Sequence, residues 1–147
     1  MYDIPGYKIT EEIHKGFRFN YYHAHDNSRN RGVMLKTVKH QRDKTLLEKD
    51  FETGYTINNR IVLKPYDILT HENRHILVHE YSDALPLGKI DKKKFSLNTL
   101  ISLMLSIARA VSIIHELDII HKDINPDNLF INPDTLKVKI SGFGLSH

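Results

Sequence analysis

The densest set of reactive side chains in this 147-residue sequence is Ile120-His121-Lys122-Asp123-Ile124-Asn125-Pro126-Asp127-Asn128. Asp123 and Asn128 stand on one polar loop, just before the apolar run Leu129-Phe130-Ile131. A carboxylate there could take a proton from a hydroxyl, and a carboxamide on the same loop could ligate an oxygen-seeking cation. The same residue types also fill ordinary turns, so spacing alone leaves a plain turn open. A second candidate is Lys36, at the end of Val33-Met34-Leu35-Lys36. An isolated lysine on a strand is ordinarily a solvated edge residue.

The elements that must position these groups follow from local patterning. Residues 7–13 and 19–25 read as strands around a turn at Lys15-Gly16. The polar cluster from Asp26 to Gly32 leads into a third strand, 33–38. Thr45 and Glu48 have capping-box spacing and start a helix to about Tyr55. Strands follow over 61–68 and 75–80, joined by the turn His71-Glu72-Asn73. Ser96 caps a long helix to about Leu117, apolar on most of its circumference and expected to be buried on most sides. Leu129-Phe130-Ile131 and 136–140 are small strands. Five strands with one inserted helix, then a long helix and short strands, make an α+β order. There is no internal repeat.

Composition narrows the class. Hydrophobic content of 40% and charged content of 27% fit a globular chain rather than a disordered one. The net charge of +3 is spread along the chain apart from Lys92-Lys93-Lys94, so nucleic acid is not an expected partner. With no cysteine, neither disulfides nor a thiolate metal site can form, which fits a cytoplasmic location. The opening residues 1–6 show no basic and apolar leader pattern. The apolar stretch 97–117 contains Arg109, which would lie deep in a bilayer, so no membrane partner is expected. His71, His75 and His79 fall on a turn and a strand, where their spacing does not gather three metal ligands.

The loop His121-Lys122-Asp123-Ile124-Asn125-Pro126-Asp127-Asn128 closely resembles the protein kinase catalytic loop H-R-D-x-x-x-x-N, and Val33-Met34-Leu35-Lys36 resembles the V-A-I-K strand. From Tyr7 onward the order of elements is similar to that of a Ser/Thr protein kinase domain. The phrasing is closest to kinase-like domains at the amino end of large bacterial signalling proteins, many of which begin with a stretch like Ile4-Pro5-Gly6-Tyr7. The resemblance implies a five-stranded antiparallel lobe over residues 1–81, then a hinge and partial helical lobe over 82–147. It implies Asp123 as catalytic base, Asn128 as a Mg²⁺ ligand and Lys36 as holder of the ATP phosphates. The helix should offer Lys36 a carboxylate. Leu46, Leu47, Asp50, Phe51 and Gly54 share its apolar face, so Asp50 is the expected partner, one methylene shorter than the family's Glu. Gly16, Met34 and Phe130 should line the nucleotide slot, with Glu80 and Ser82 bracketing the backbone that meets adenine. The implied partners are a nucleotide and other domains or signalling proteins.

Three features depart from a working kinase. Gly142-Phe143-Gly144 stands where D-F-G is expected, so the principal Mg²⁺ site lacks its carboxylate. That loss is worth roughly 3–4 kcal/mol of stabilisation. The phosphate-covering loop keeps only Gly16, and Tyr21 and Met34 are bulkier than the usual Val and Ala. The sequence stops at His147, whereas a kinase continues into an activation segment and substrate-binding helices. The expectation is therefore a catalytically deficient domain. Alternatives are a pseudokinase binding module, a truncated gene remnant, or a small-molecule phosphotransferase of the same fold.

Overall fold

The computed structural model describes residues 3–147; Met1 and Tyr2, with which the stretch read for a leader opens, lie outside it. Five strands, β1 (Tyr7–Lys15), β2 (Phe19–Asp26), β3 (Arg31–Val38), β4 (Pro65–His71) and β5 (Arg74–Glu80), form one antiparallel sheet in the order β1-β2-β3-β5-β4. Period-two alternation divides its side chains. Tyr22, Val33, Leu35, Ile76 and Val78 pack on one face. Phe19, Tyr21, Met34, Val38 and Leu77 pack on the other, against helix α1 (Lys44–Thr56) and Phe130. The β2–β3 turn is tied by the buried Asp26 carboxylate, which accepts from Ser28 N, Ser28 Oγ and Arg29 N. Glu72 and Asn73 both take positive φ, the backbone a tight two-residue hairpin turn requires.

Beyond the sheet come β6 (Leu85–Pro86), helix α2 (Leu97–Glu116), β7 (Leu129–Ile131) and β8 (Val138–Ile140). Strand β7 pairs with β6 on one side and β8 on the other in a second, three-stranded sheet. Ser96 caps α2 by accepting from Thr99 N at 3.1 Å. Ala110 and Ile114 of α2 pack with Ile57, Val62, Leu129, Ile140 and Phe143 in a second core.

Several expectations need correction. No side chain caps the start of α1; its N-cap is Asp43 and a short 3-10 turn precedes it. Glu48, expected to close a capping box, instead pairs with His75 Nε2 at 2.9 Å. The strand expected over 61–68 begins only at Pro65. Its first part turns away because Leu63 N donates to Ile140 O and Ile140 N to Ile61 O, joining this segment to β8. The last strand starts at Val138, since Leu136 takes φ +57°, outside the β region. Helix α2 is not buried on most sides: Leu97, Ile101, Met104 and Leu105 are exposed, Leu97 by 72%. The described residues cover only the side carrying Leu103, Ala110 and Ile114. Its length and composition would suffice to cross a bilayer.

Candidate active site

Lys36 lies in the middle of β3 with its side chain on the α1 side of the sheet. Its Nζ donates to Asp50 Oδ2 at 2.6 Å, and both side chains are essentially cut off from solvent. Asp50 reaches this point because α1 turns Leu47, Asp50 and Gly54 inward together. Gly54 lets the helix sit close: a Cβ there would lie 3.1 Å from the Pro65 ring. Burial alone would raise the Asp50 carboxyl, but the Lys36 ammonium and the hydrogen bonds from Lys36 and the Phe143 amide hold it below its ordinary value. Burial would likewise lower Lys36, yet the facing Asp50 keeps it raised. The pair is therefore ionised.

The second Asp50 oxygen has its own work. Oδ1 accepts from Gly142 N at 3.0 Å and from Phe143 N at 2.8 Å. One carboxylate thus joins β3, α1 and the Gly142-Phe143-Gly144 turn. Gly142 takes φ +85°, and a Cβ on it would run into the Asn128 amide. The space a longer side chain would use at this position is filled by Asn128.

On the loop between α2 and β7, Asn128 Nδ2 donates to Asp123 Oδ2 at 3.0 Å and to Asp123 O at 2.9 Å. Asn125 Nδ2 donates to Asp123 Oδ1 at 3.0 Å. Behind the loop, His121 Nδ1 accepts from Asp123 N, so its Nε2–H donates to Ser141 O at 2.9 Å. Burial holds His121 below the usual imidazole value, the neutral form this pair of bonds requires. The His121 and Phe143 rings meet at a tilt, 4.8 Å between centroids. Asp123 is thereby held by two amides and left partly open to solvent.

Lys36, Asp50, Asp123 and Gly142 line one small pocket, with room for about one water molecule. Asp123 and Asn128 also line an open pocket of about 360 Å³ with Phe17, Arg18, Phe19 and Asp127. Lys36, Asp50, Asp123 and Asn128 therefore border one cleft between the sheet and the segment that follows it. Met34 and Phe130 are fully buried in the core on the cleft side of the sheet. Near the hinge, Ser82 O accepts from His23 Nε2 at 3.0 Å, and the Glu80 carboxylate binds Lys139 Nζ at 2.8 Å.

Four contributors went unread in the sequence. Asp127 accepts from Phe17 N at 3.0 Å and contacts His14 Nε2 at 2.7 Å, fastening the Gly16 turn to the loop that carries Asp123 and Asn128. Gly16 is needed for that approach, since a Cβ would stand 2.7 Å from Asp127 Oδ2. Arg18 reaches to 3.8 Å from Asp123. Phe19 lies over Lys36, its ring centre 4.3 Å from Nζ. His79 is buried with Nδ1 unpartnered, and burial pushes it down to about 3. The His14–Asp127 contact spans most of the chain and leaves no local signal.

The residues present do not fit a bound Mg²⁺. That ion takes oxygen ligands, usually with a carboxylate among them, and here Gly142 brings no side chain while Asn128 is turned onto it. Among the described residues, no group of three or more His, Asp or Glu could hold a metal.

A family model for the protein kinase domain matches residues 7–147, and the chain belongs to that family. A probable serine/threonine-protein kinase of Clostridium acetobutylicum is 31% identical over 95% of this chain and 22% of its own length. Another from Clostridium perfringens is 26% identical over 95% of the chain and 21% of its own. An Aurora-related protein kinase of Caenorhabditis elegans is 34% identical over 74% of the chain and 34% of its own. The chain spans about a fifth of the length of the two clostridial relatives.

Proposed function

We propose that this chain is a Ser/Thr-kinase-family domain deficient in phosphoryl transfer, serving in cytoplasmic signalling by binding rather than by catalysis. Members of the family use ATP with Mg²⁺. The observation that carries the reading is Gly142. It stands where the family's metal-holding carboxylate belongs, and the Asn128 amide is folded over it. With no anionic ligand, the charge that builds on a transferring phosphoryl group has no metal to share it, a loss of roughly 3–4 kcal/mol in the barrier. Asp123 stays well oriented as a base, so the deficiency lies in the electrophile's support. The partners are other domains or signalling proteins that read the state of the cleft.

The test is transfer of labelled γ-phosphate from ATP with Mg²⁺ or Mn²⁺, to the chain itself and to a generic acceptor protein. Expected turnover is no greater than that of Asp123→Asn. Turnover clearly above that background, and lost in Asp123→Asn, would reject the reading.

A further inference from the structure

We propose that Phe19 and Tyr21 of this chain occupy its own nucleotide cleft, so that a nucleotide enters only by displacing them. This rests on the reading of the cleft as a kinase-family nucleotide site.

Strand register makes the plug. Tyr21 and Lys36 are direct partners across the β2–β3 ladder, and Phe19 pairs with Val38, one step along the same face. In an antiparallel pair such neighbours meet at their side chains. Both rings therefore fall on the ammonium that should hold phosphate: 4.3 Å from the Phe19 ring centre and 5.7 Å from that of Tyr21. With Asp50 beneath, Lys36 is 0% exposed. The space left beside it holds about one water molecule, too little for a phosphate.

The adenine slot is closed by the same residue. Tyr21 meets Phe130, the expected floor, edge to face with ring centres 5.2 Å apart. A base held between roof and floor needs two stacking contacts of roughly 3.5–4 Å each, more than this separation provides. The Tyr21 hydroxyl is buried on the Lys36 side of the sheet, and burial raises its phenol to about 12. Its ring completes the cluster of Ile13, Met34, Leu77 and Phe130. At the outer end, the Asp127 contacts to His14 and Phe17 N hold the loop down over the plug.

Two measurements on the intact chain test this. The first needs no variant: brief treatment with a small amine-acetylating reagent, read by peptide mass spectrometry. Lys36 should stay unmodified while Lys15, whose side chain is 62% exposed, reacts fully. The second is calorimetric titration with ATP of the wild type and of Tyr21→Val. The variant should expose Lys36 to the reagent and bind ATP at least about tenfold more tightly than wild type. A wild-type Lys36 that reacts as fast as Lys15 would overturn the plug directly. Opening of Lys36 in Tyr21→Val with unchanged ATP affinity would overturn it through the nucleotide reading. Phosphoryl transfer by Tyr21→Val would instead count against the catalytic deficiency, and would support the plug.

Discussion

Lys36 and Asp50 face each other from β3 and α1 at 2.6 Å, both shut away from water. A buried pair of this kind owes its strength to mutual compensation rather than to Coulomb gain alone, since desolvating either charge is costly.

Removing one partner should therefore be severe. Asp50→Ala strands a buried ammonium and leaves the Gly142 and Phe143 amides without their acceptor, and should cost roughly 3–5 kcal/mol. Urea unfolding followed by circular dichroism measures this. Lys36→Met combined with Asp50→Leu should recover part of the loss but not all, because the two backbone amides stay unpaired. Full recovery would mean those amides contribute nothing.

Stability should fall with mild acid. His79 sits at the end of β5, buried, with its proton affinity lowered from 6.5 to about 3, Asp50 opposing that fall and Lys36 adding to it. The folded value lies below the unfolded one, so the unfolded chain takes the proton first as pH drops. The contribution is complete above the unfolded value and shrinks below it. Between pH 7 and pH 5 the loss is about 2 kcal/mol. Buried His121 shifts the same way. Asp50, lowered below its usual carboxylate value, acts only at more acidic pH. Unfolding midpoints of His79→Leu should vary less over this interval; an unchanged pH profile would remove His79 from the account.

At Gly142 the backbone and the chemistry pull apart. Gly142→Ala places a Cβ at positive φ and against Asn128, and should cost roughly 1–3 kcal/mol. Gly142→Asp carries the same strain but brings a carboxylate, which should make ATP binding more dependent on Mg²⁺. Lys36→Ala should abolish whatever ATP binding remains. Thermal-shift titrations with and without Mg²⁺ separate these effects by ligand linkage. The carboxylate idea fails if Gly142→Asp and Gly142→Ala respond to Mg²⁺ alike.

The loop fastening has a local signature. Asp127→Ala should free the Phe17 amide, and its hydrogen exchange should accelerate by about tenfold or more while amides of β3 and β5 keep their protection. Global acceleration would show instead that Asp127 supports the whole fold.

The sheet and the loop that gathers Asp123 and Asn128 were legible because their signals are short-range. Alternation in β2 and β3, and the fixed spacing from Asp123 to Asn128, sit within a few residues. Asp50 was readable for a similar reason, as the acid on the apolar stripe of α1. What escaped were relations between distant segments. Nothing near Ile61 says that it accepts a hydrogen bond from Ile140 rather than starting β4. The apolar circumference of α2 reported its composition correctly, but burial depends on which neighbours are there to cover it. Tyr21 was readable as bulk in the slot. That it stands directly opposite Lys36 required the strand register.

The shared carboxylate of Asp50 has a mechanical consequence. In this fold an outward rotation of α1 and a rearrangement of the Gly142-Phe143 turn would ordinarily be separate degrees of freedom, giving four combinations. Here one side chain is the fastening for both, so withdrawing it from Lys36 also releases the turn's two amides. Intermediate combinations leave buried donors bare and are depopulated. Helix and turn then change state together, as a single cooperative transition between two arrangements.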